Sequence, residues 1–239
     1  MTLNGQVAFV TGGSRGIGLA IARALLAQGV HVAFTGTGSD GVARAVQELS
    51  SSAPAERVLG LTADVRRLSD VETAVAATVE RFGRLDILIN NAGVGRFVPL
   101  SEMSVDEWND VIGTNLTGVF HCCRTALPWL RVQGGAIINI SSLAASNPFV
   151  NGTAYCASKA ALNAFSEALM QEVRYDGIRV AYVMPGSVDT GFGGRGAGKE
   201  GWALIPDDVA EAVCHVLQHP SRSLPSRIEI RPSRPPRKG

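Results

Sequence analysis

This chain of 239 residues has few cysteines, almost no net charge and no long apolar run. Its four cysteines, Cys122, Cys123, Cys156 and Cys214, form neither a CxxC pair nor a zinc-ligand spacing with histidine, and no secretory signal is recognised. We therefore expect reduced thiols, a cytoplasmic location and no metal site. The 22 Lys and Arg nearly balance the 21 Asp and Glu, and no apolar run reaches the ~20 residues of a membrane helix. These absences argue against nucleic acid and membranes as partners and predict a soluble protein.

Short apolar strands alternate with helical segments along the whole chain, of which 46% is apolar. The strands carry little polar alternation, which is typical of a parallel sheet covered by helices on both faces. No linker or repeat divides the chain, so we predict one α/β domain over residues 1–239, a doubly wound, Rossmann-type fold with about seven parallel strands. The strands are predicted at residues 6–11, 30–35, 57–64, 85–90, 136–141, 178–184 and 227–230. The helices are predicted at residues 16–28, 40–50, 69–82, 105–131, 153–175 and 206–218.

A glycine-rich turn, TGGSRGIG, joins the first predicted strand to the first helix. Gly12, Gly16 and Gly18 allow a sharp turn and a close approach to a pyrophosphate, which the free N–H groups of the helix N-terminus would then bind. The spacing GxxxGxG departs from GxGxxG, and any tight turn favours glycine. The position at the first strand-to-helix junction nevertheless indicates dinucleotide binding.

The end of the second predicted strand bears on the choice between NAD and NADP. An Asp or Glu there normally binds the ribose 2′-hydroxyl of NAD, but this chain has Thr37. No carboxylate repels a 2′-phosphate, and Arg15 is available as its positive partner, so we predict NADP rather than NAD. The alternative is that Arg15 is a solvated loop charge and that Asp40 reaches the ribose.

Two further polar motifs follow predicted strands. Asp64, after the third strand, could accept a hydrogen bond from the adenine amino group, or it could cap a helix. NNAG, Asn90 to Gly93, closes the fourth strand at the edge where ligands bind in such sheets. Turn chemistry alone would also select these residues.

The stretch TAYCASKAA places Tyr155 and Lys159 four residues apart, on one face of a predicted helix. A nearby ammonium group lowers the pKa of a phenol, ordinarily ~10, so Lys159 is expected to make Tyr155 a general acid or base. Such pairs are common in helices, and the spacing alone favours a core tyrosine and a surface lysine.

Polar residues elsewhere in the chain favour a catalytic pair over a core tyrosine and a surface lysine. Ser142, in NISS, ends the fifth predicted strand and could hydrogen-bond a substrate carbonyl, although a serine there could also be a simple turn former. Asn115, in TNLTG, lies within an apolar helix, where its amide needs a partner or a function. A locally hydrogen-bonded core asparagine is the alternative.

Together these motifs resemble the short-chain dehydrogenase/reductase family over nearly the whole chain. TGGSRGIG resembles its cofactor loop, NNAG its fourth-strand motif, YCASK its YxxxK element and PGSVDT its nicotinamide-side loop. The resemblance implies a catalytic tetrad. In it, Tyr155 is the acid/base, and Ser142 orients and polarises the carbonyl. Lys159 lowers the pKa of the tyrosine and holds the nicotinamide ribose, and Asn115 supports a water-linked proton relay.

The same resemblance implies the reaction and the remaining contacts. A hydride would pass between the nicotinamide and a carbonyl or secondary alcohol substrate of the 3-oxoacyl or 3-hydroxy acid type, in a homo-oligomer, either a tetramer or a dimer. The alternative is a non-catalytic nucleotide sensor on the same fold, which has no need of the tyrosine and lysine together. Cofactor contacts are expected at Gly12, Ser14, Arg15, Gly16, Ile17, Gly18, Thr37, Asp64, Val65, Asn91, Ala92, Gly93, Tyr155, Lys159, Pro185, Gly186, Val188 and Thr190.

The segment after the nicotinamide-side loop, residues 191–204, is expected to determine the substrate. Residues 191–204 are predicted to form a mobile lid, whose Arg195 and Lys199 could meet an acidic substrate group or serve only solubility. The N-terminal half resembles bacterial 3-oxoacyl-[acyl-carrier-protein] reductases, whereas the ending resembles NADP-dependent 3-hydroxy acid and serine dehydrogenases. Residues 231–239, rich in Pro and Arg, are expected to be a flexible tail rather than a nucleic-acid arm or a proline-rich ligand.

Overall fold

Seven parallel strands form one sheet in the structure, a computed structural model that describes residues 2–194 and 201–235. In chain order the strands are β1 (Val7–Val10), β2 (His31–Gly36), β3 (Val58–Thr62), β4 (Ile87–Asn90), β5 (Gly135–Ile140), β6 (Ile178–Pro185) and β7 (Arg227–Ile230). They lie side by side in the order β3-β2-β1-β4-β5-β6-β7, with every neighbouring pair parallel.

Helices cover both faces of this sheet. They are α1 (Gly16–Ala27), α2 (Ser39–Ser50), α3 (Leu68–Phe82), α4 (Val105–Ile112), α5 (Gly118–Leu130), α6 (Thr153–Val173) and α7 (Pro206–Gln218). The predicted doubly wound fold is confirmed. None of the helices in the described part of the chain has the length and apolar character that crossing a membrane requires.

The two helical layers explain why the strands are apolar at nearly every position. In β1, Ala8 and Val10 pack into the core with α1, α2 and α7, whereas Phe9 between them packs into the core with α3, α5 and α6. Each of the three side chains is at most 1% exposed. Burying one large apolar side chain contributes ~1.5–3 kcal/mol, so polar residues at these positions would be costly. The continuous apolar pattern is therefore the signature of a sheet with two covered faces.

The helical segment predicted over residues 105–131 contains a break. A π-helical turn, Gly113–Thr117, separates α4 from α5 and carries Asn115, which is fully buried. Gly118 lets this turn approach the loop after β3 closely, because a Cβ there would lie 2.7 Å from Val65 Cγ2. A π-turn inserts an extra residue into the helix and is frequent at functional sites. The insertion accounts for a polar amide facing inward from an apolar helix.

The strand order positions the ligand-binding edge of the sheet. β1 pairs with β2 on one side and with β4 on the other, so the chain reverses its direction of progress across the sheet at β1. In such folds the crevice lies beyond the carboxyl ends of the strands at this reversal. The loops that follow β1, β4, β5 and β6 all begin at that edge, which brings the sequence motifs of distant segments together.

Buried amides connect the strand ends with α6. Asn90 Nδ2 donates to Asn139 Oδ1 at 2.8 Å, and Asn139 Nδ2 donates to Ser166 Oγ at 2.8 Å. Asn90 and Asn139 are 2% and 0% exposed, so these hydrogen bonds replace lost water contacts. The chain of bonds fixes α6, which carries Tyr155, relative to β4 and β5.

Replacing Asn139 with Ala should lower the free energy of unfolding by about 1–3 kcal/mol, because Asn90 and Ser166 each lose a buried partner. Urea denaturation measures the change. Asn109→Ala, at an exposed position of α4, is the matched control and should change stability by less than about 0.5 kcal/mol. Equal stabilities of the two variants would contradict the structural role of Asn139.

Candidate active site

A cleft of about 1100 Å³ runs along the carboxyl edge of the sheet. Small-molecule sites usually occupy ~300–1000 Å³, so this cleft has room for a dinucleotide and a small substrate together. Most of the residues predicted to form the site lie in its wall. These are Gly12, Ser14, Arg15, Gly16, Ile17, Thr37, Asp64, Val65, Asn91, Ala92, Gly93, Ser142, Tyr155, Lys159, Pro185, Gly186, Val188 and Thr190.

The glycine-rich turn after β1 forms a backbone cradle at one end of the cleft. Gly12 and Gly16 adopt left-handed conformations, with φ of 64° and 55°. A Cβ at Gly12 would lie 2.9 Å from Ala92 Cα, so only glycine fits there. Gly18 lies behind the wall, and a Cβ there would lie 2.3 Å from the Gly12 carbonyl oxygen. Its role in the structure is to let α1 pack tightly against the turn.

The N-terminus of α1 opens into this cradle. The helix begins at Gly16 without a side-chain cap and without an acidic residue in its first turn. Its first N–H groups are therefore left for a ligand, and the helix dipole adds partial positive charge at the same place. Together with the space kept by the glycines, these groups fit the pyrophosphate of a nicotinamide dinucleotide.

Asn91 and Thr11 hold the cradle in shape. Asn91 Nδ2 donates to the carbonyl oxygens of Thr11 and Gly12, both at 3.0 Å. Thr11 Oγ1 accepts from the backbone N–H groups of Asn91 and Ala92, also both at 3.0 Å. The amide of Asn91 thus ties the turn after β1 to the turn after β4.

Asp64 is paired with a residue that the sequence reasoning did not select. Its Oδ2 lies 2.6 Å from Arg66 Nη2, and Arg66 also pairs with Asp110 of α4. The guanidinium group of Arg66 holds the pKa of Asp64 below its usual value. Asp64 does not cap α3, whose N-cap is Arg67. Arg66 itself lines the cleft, and its only signal in the sequence was its place two residues after Asp64.

The residues expected to select the cofactor lie together. Thr37 is exposed immediately after β2 and lines the cleft with Ser14 and Arg15. Asp40, in the first turn of α2, is not part of the cleft wall in the described residues.

Tyr155, Ser142 and Lys159 meet in the middle of the cleft. Tyr155 lies in the first turn of α6, and Ser142 follows β5 and hydrogen-bonds to the phenol group. Lys159 is only 4% exposed, and its Nζ donates to the Ile140 carbonyl oxygen at 2.8 Å, 5.8 Å from the centre of the Tyr155 ring. The lysine is therefore not a surface charge.

The expected lowering of the pKa of Tyr155 by Lys159 is wrong. Burial raises the pKa of Tyr155, and the hydrogen bond from Ser142 opposes this only in part. Burial also lowers the pKa of Lys159 to about 8. The reason is geometric, because the ammonium group faces the Ile140 carbonyl rather than the phenol oxygen, and both groups have lost water.

Asn115 lies behind the cleft wall and uses its amide on neighbouring loops. Its Oδ1 accepts from Val94 N at 2.8 Å, and its Nδ2 donates to Val94 O at 2.9 Å and to Ser158 Oγ at 3.0 Å. The Ser158 hydroxyl donates in turn to the Tyr155 carbonyl oxygen at 2.8 Å. Asn115 thus connects the loop after β4 with the first turn of α6.

The segment after β6 is anchored by backbone hydrogen bonds. Gly186 N donates to Ile230 O at 2.8 Å, and Asp189 N donates to Leu204 O at 2.8 Å. Arg231, Pro232 and Pro235, which belong to the expected tail, also line the cleft. Arg195 and Lys199 of the expected lid lie outside the described residues, as do tail residues 236–239.

Three phenylalanines that the sequence motifs did not include line the cleft near Tyr155. Phe97, Phe149 and Phe192 all line the cleft, and Phe97 lies edge-on to the Tyr155 ring at 5.5 Å between centroids. Their signal in the sequence was weak, since Phe97 and Phe149 lie outside the recognised motifs and Phe192 is one residue of the predicted lid, residues 191–204. Arg96 and Trp202 also belong to the wall.

Other reactive groups do not compete with this site. The four cysteines are free and buried, and burial raises the pKa of the Cys123 thiol to about 12, which keeps it protonated. Within residues 2–194 and 201–235, no three His, Cys, Asp or Glu side chains are grouped as a metal site.

A glycine cradle at a helix N-terminus, with a tyrosine and a buried lysine in the same cleft, defines a Rossmann-type oxidoreductase that uses a nicotinamide cofactor. Comparison with known proteins gives the family. Residues 6–198 match the family model described as short chain dehydrogenase. The chain therefore belongs to the short chain dehydrogenase family.

Relatives and solved structures agree with this assignment. D-threitol dehydrogenase of Mycolicibacterium smegmatis is 36% identical over 222 residues, 88% of this chain and 85% of the relative. An alcohol dehydrogenase from Thermococcus sibiricus, complexed with 5-hydroxy-NADP, superposes with a TM-score of 0.87 at 33% identity, covering 98% of this chain and 99% of the other. A 3-ketoacyl-(acyl-carrier-protein) reductase from Brucella melitensis, complexed with NADH, gives 0.88 at 27% identity, covering 97% and 98%. The protein is an NAD(P)-dependent oxidoreductase.

The pKa of Lys159 can be measured directly, because Lys159, Lys199 and Lys238 are the only lysines in the chain. In protein labelled with ¹³C at lysine Cε, one resonance should titrate with a pKa of about 8 and vanish in Lys159→Met. Three ordinary lysine titrations would contradict the burial of this ammonium group.

The lowered pKa of Lys159 also determines how the free energy of unfolding changes with pH. At pH values between about 8 and the pKa of Lys159 in the unfolded chain, the unfolded chain binds one more proton than the folded protein. The free energy of unfolding should therefore rise with pH in this range, by up to ~1.4 kcal/mol per pH unit relative to that of Lys159→Met. Below pH 8 the difference should be constant.

Proposed function

We propose that the protein is an NADP(H)-dependent carbonyl reductase and alcohol dehydrogenase in which Tyr155 is the general acid/base. The observation that carries this proposal is the meeting of Tyr155, Ser142 and buried Lys159 in the same cleft as the glycine cradle. The cradle accounts for the dinucleotide, and the polar group accounts for a substrate oxygen. A reduced nicotinamide bound there supplies a hydride to the carbonyl carbon.

Each polar side chain has a separate task in reduction. The Ser142 hydroxyl hydrogen-bonds the carbonyl oxygen of the substrate and stabilises the negative charge that develops on it. The Tyr155 hydroxyl donates its proton to that oxygen and regains one from solvent. A raised pKa keeps Tyr155 protonated at neutral pH, which suits the acid role in reduction. In alcohol oxidation the same groups work in reverse.

Lys159 and Asn115 support the phenol. With a pKa of about 8, Lys159 is still mostly protonated at neutral pH and can hold the ribose of the bound nucleotide by hydrogen bonds. Asn115 positions Val94 and, through Ser158, the first turn of α6. A water-linked relay through Asn115 stays a prediction.

The proposed preference for NADP rests on charge. Arg15 is exposed beside the cradle, Thr37 replaces the usual carboxylate, and Asp40 lies away from the cleft wall. A 2′-phosphate would therefore meet a guanidinium group without a competing carboxylate. The binding of 5-hydroxy-NADP by the Thermococcus sibiricus enzyme supports this choice, whereas the Brucella melitensis reductase was complexed with NADH.

Replacing Arg15 with Ala should weaken NADPH binding about tenfold or more while leaving NADH binding nearly unchanged, because only NADPH loses a charge-assisted hydrogen bond. Fluorescence titration with both nucleotides measures this. Arg23→Ala, on the exposed side of α1, is the matched control. If the unmodified protein binds NADH as tightly as NADPH, the proposed preference fails.

Tyr155→Phe should reduce kcat by about 10²–10⁴ while the Kd for NADPH changes less than about twofold, since only the proton donor is lost. Steady-state kinetics with a ketone measure kcat, and a fluorescence titration measures the Kd for NADPH. Tyr175→Phe, at a side chain 93% exposed after α6, should leave both unchanged. An active Tyr155→Phe enzyme would refute the acid/base role.

A nucleotide sensor without catalysis is the alternative on the same fold. Burying an ammonium group is costly, and a protein that only binds a dinucleotide gains little from one placed beside a tyrosine. The catalytic function explains why Lys159 is buried, and the sensor does not. The 3-oxoacyl and 3-hydroxy acid substrates expected from the sequence remain predictions within the proposed reaction.

We also propose a homo-oligomer, either a tetramer or a dimer, that is located in the cytoplasm. Trp108, Phe120 and Trp129 on α4 and α5 are 37–46% exposed, and exposed large apolar side chains favour association. The four free cysteines support a reducing compartment.

A further inference from the structure

The wall around Tyr155 is made of aromatic rings. Phe97 and Phe192 contact the Tyr155 ring, with centroids 5.5 Å and 5.6 Å away, and lie 6.4 Å from each other. Phe149 extends the cluster, with its ring 5.6 Å from Phe97. We call Phe97, Phe149 and Phe192 the aromatic wall. Any group attached to a carbonyl carbon beside the Tyr155 hydroxyl would lie next to it.

Glycines leave the space that these rings occupy. A Cβ at Gly95 would lie 2.7 Å from Phe97 Cζ, and a Cβ at Gly193 would lie 2.4 Å from Phe97 Cε2. On the other side, a Cβ at Gly152 would lie 2.7 Å from Phe149 Cε2. Three backbone positions in three loops thus accommodate the rings, which indicates a built surface.

The aromatic wall is not fully covered by the protein. Phe149 and Phe192 are 42% and 37% exposed, and both line the cleft. Apolar surface of this size in a concave site favours an apolar ligand, and aromatic faces pair best with another ring. A polyhydroxy group there would lose water without gaining hydrogen-bond partners from the rings.

Several charged side chains of the cleft lie at its other end. Arg15, Asp64 and Arg66 lie near the glycine cradle and the loop after β3. Arg96, next to Phe97, is exposed and lines the cleft, so it could attract a carboxylate substrate. Hydroxy acids are therefore the competing substrate class.

We infer that the substrate is a ketone whose carbonyl carbon carries an aromatic ring, or the corresponding secondary alcohol. This inference rests on the proposed function. In reduction, a new C–H bond forms at the carbonyl carbon from the hydride of the reduced nicotinamide dinucleotide, which is oxidised. The carbonyl π-electrons move to oxygen, which takes the Tyr155 proton and becomes the hydroxyl group of the product.

The first test compares kcat/KM for 1-phenylethanol, D-threitol and 3-hydroxybutyrate with NADP⁺. The aryl alcohol should exceed both others by about tenfold or more, since apolar contacts in a pocket discriminate by ~10–200-fold. A preference for D-threitol or 3-hydroxybutyrate would overturn the inference but leave the proposed reaction intact.

The second test removes one ring at a time. In Phe149→Ala and Phe192→Ala, the ratio of kcat/KM for acetophenone to that for butan-2-one should fall about tenfold, because only acetophenone carries a ring. General damage to the fold would lower both values and leave the ratio unchanged. Tyr175→Ala removes an exposed aromatic side chain elsewhere and should keep the ratio of the unmodified protein. An unchanged ratio in both wall variants would overturn the inference.

A binding measurement separates this inference from the proposed chemistry. Calorimetry on NADPH-saturated Tyr155→Phe protein should give an acetophenone Kd about tenfold lower than that of the Tyr155→Phe, Phe149→Ala double variant. This result would support the aromatic wall even if Tyr155→Phe retained activity. Retained activity would refute only the acid/base role of Tyr155. Equal Kd values would overturn the inference whatever the activity.

Discussion

The buried ammonium group of Lys159 is the feature on which the rest of the site depends. A charge taken out of water is costly unless it is hydrogen-bonded, and here the Ile140 carbonyl oxygen is its partner at 2.8 Å. This contact holds the lysine at the carboxyl end of β5, one helical turn from Tyr155. Gly93 lies beside it, where a Cβ would be crowded by Asn115 Oδ1 at 3.3 Å but would make only an ordinary contact with Lys159 Nζ. The energetic cost is reflected in the lowered pKa of the lysine.

The surrounding hydrogen bonds keep this arrangement rigid. Asn115 joins the Val94 backbone to Ser158, and Ser158 bonds the Tyr155 carbonyl. Deeper in the core, Asn139 ties β4 to α6. Helix α6 therefore cannot move independently of the sheet edge that forms the cradle. Preorganisation of this kind is what positions an acid and an oxygen-binding group for reaction.

The sequence was sufficient for the sheet, most of its helices and the cleft, because continuous apolar strands and the glycine spacing can be read from short stretches of sequence. It was not sufficient for the direction of the pKa of Tyr155, which depends on where the Lys159 ammonium group points. The inward turn of Asn115 depends on a π-turn that no apolar periodicity encodes. The aromatic wall depends on loops that meet only in the folded chain, so Phe97, Phe149 and Phe192 carried no recognisable spacing.

The most direct measurement of the central claim is a crystal structure of the protein with NADPH bound. We expect the pyrophosphate on the N-terminus of α1 and the nicotinamide ring beside the Tyr155 hydroxyl, with Lys159 within hydrogen-bonding distance of its ribose. A dinucleotide bound elsewhere, or Tyr155 and Lys159 both facing away from the nicotinamide, would contradict it.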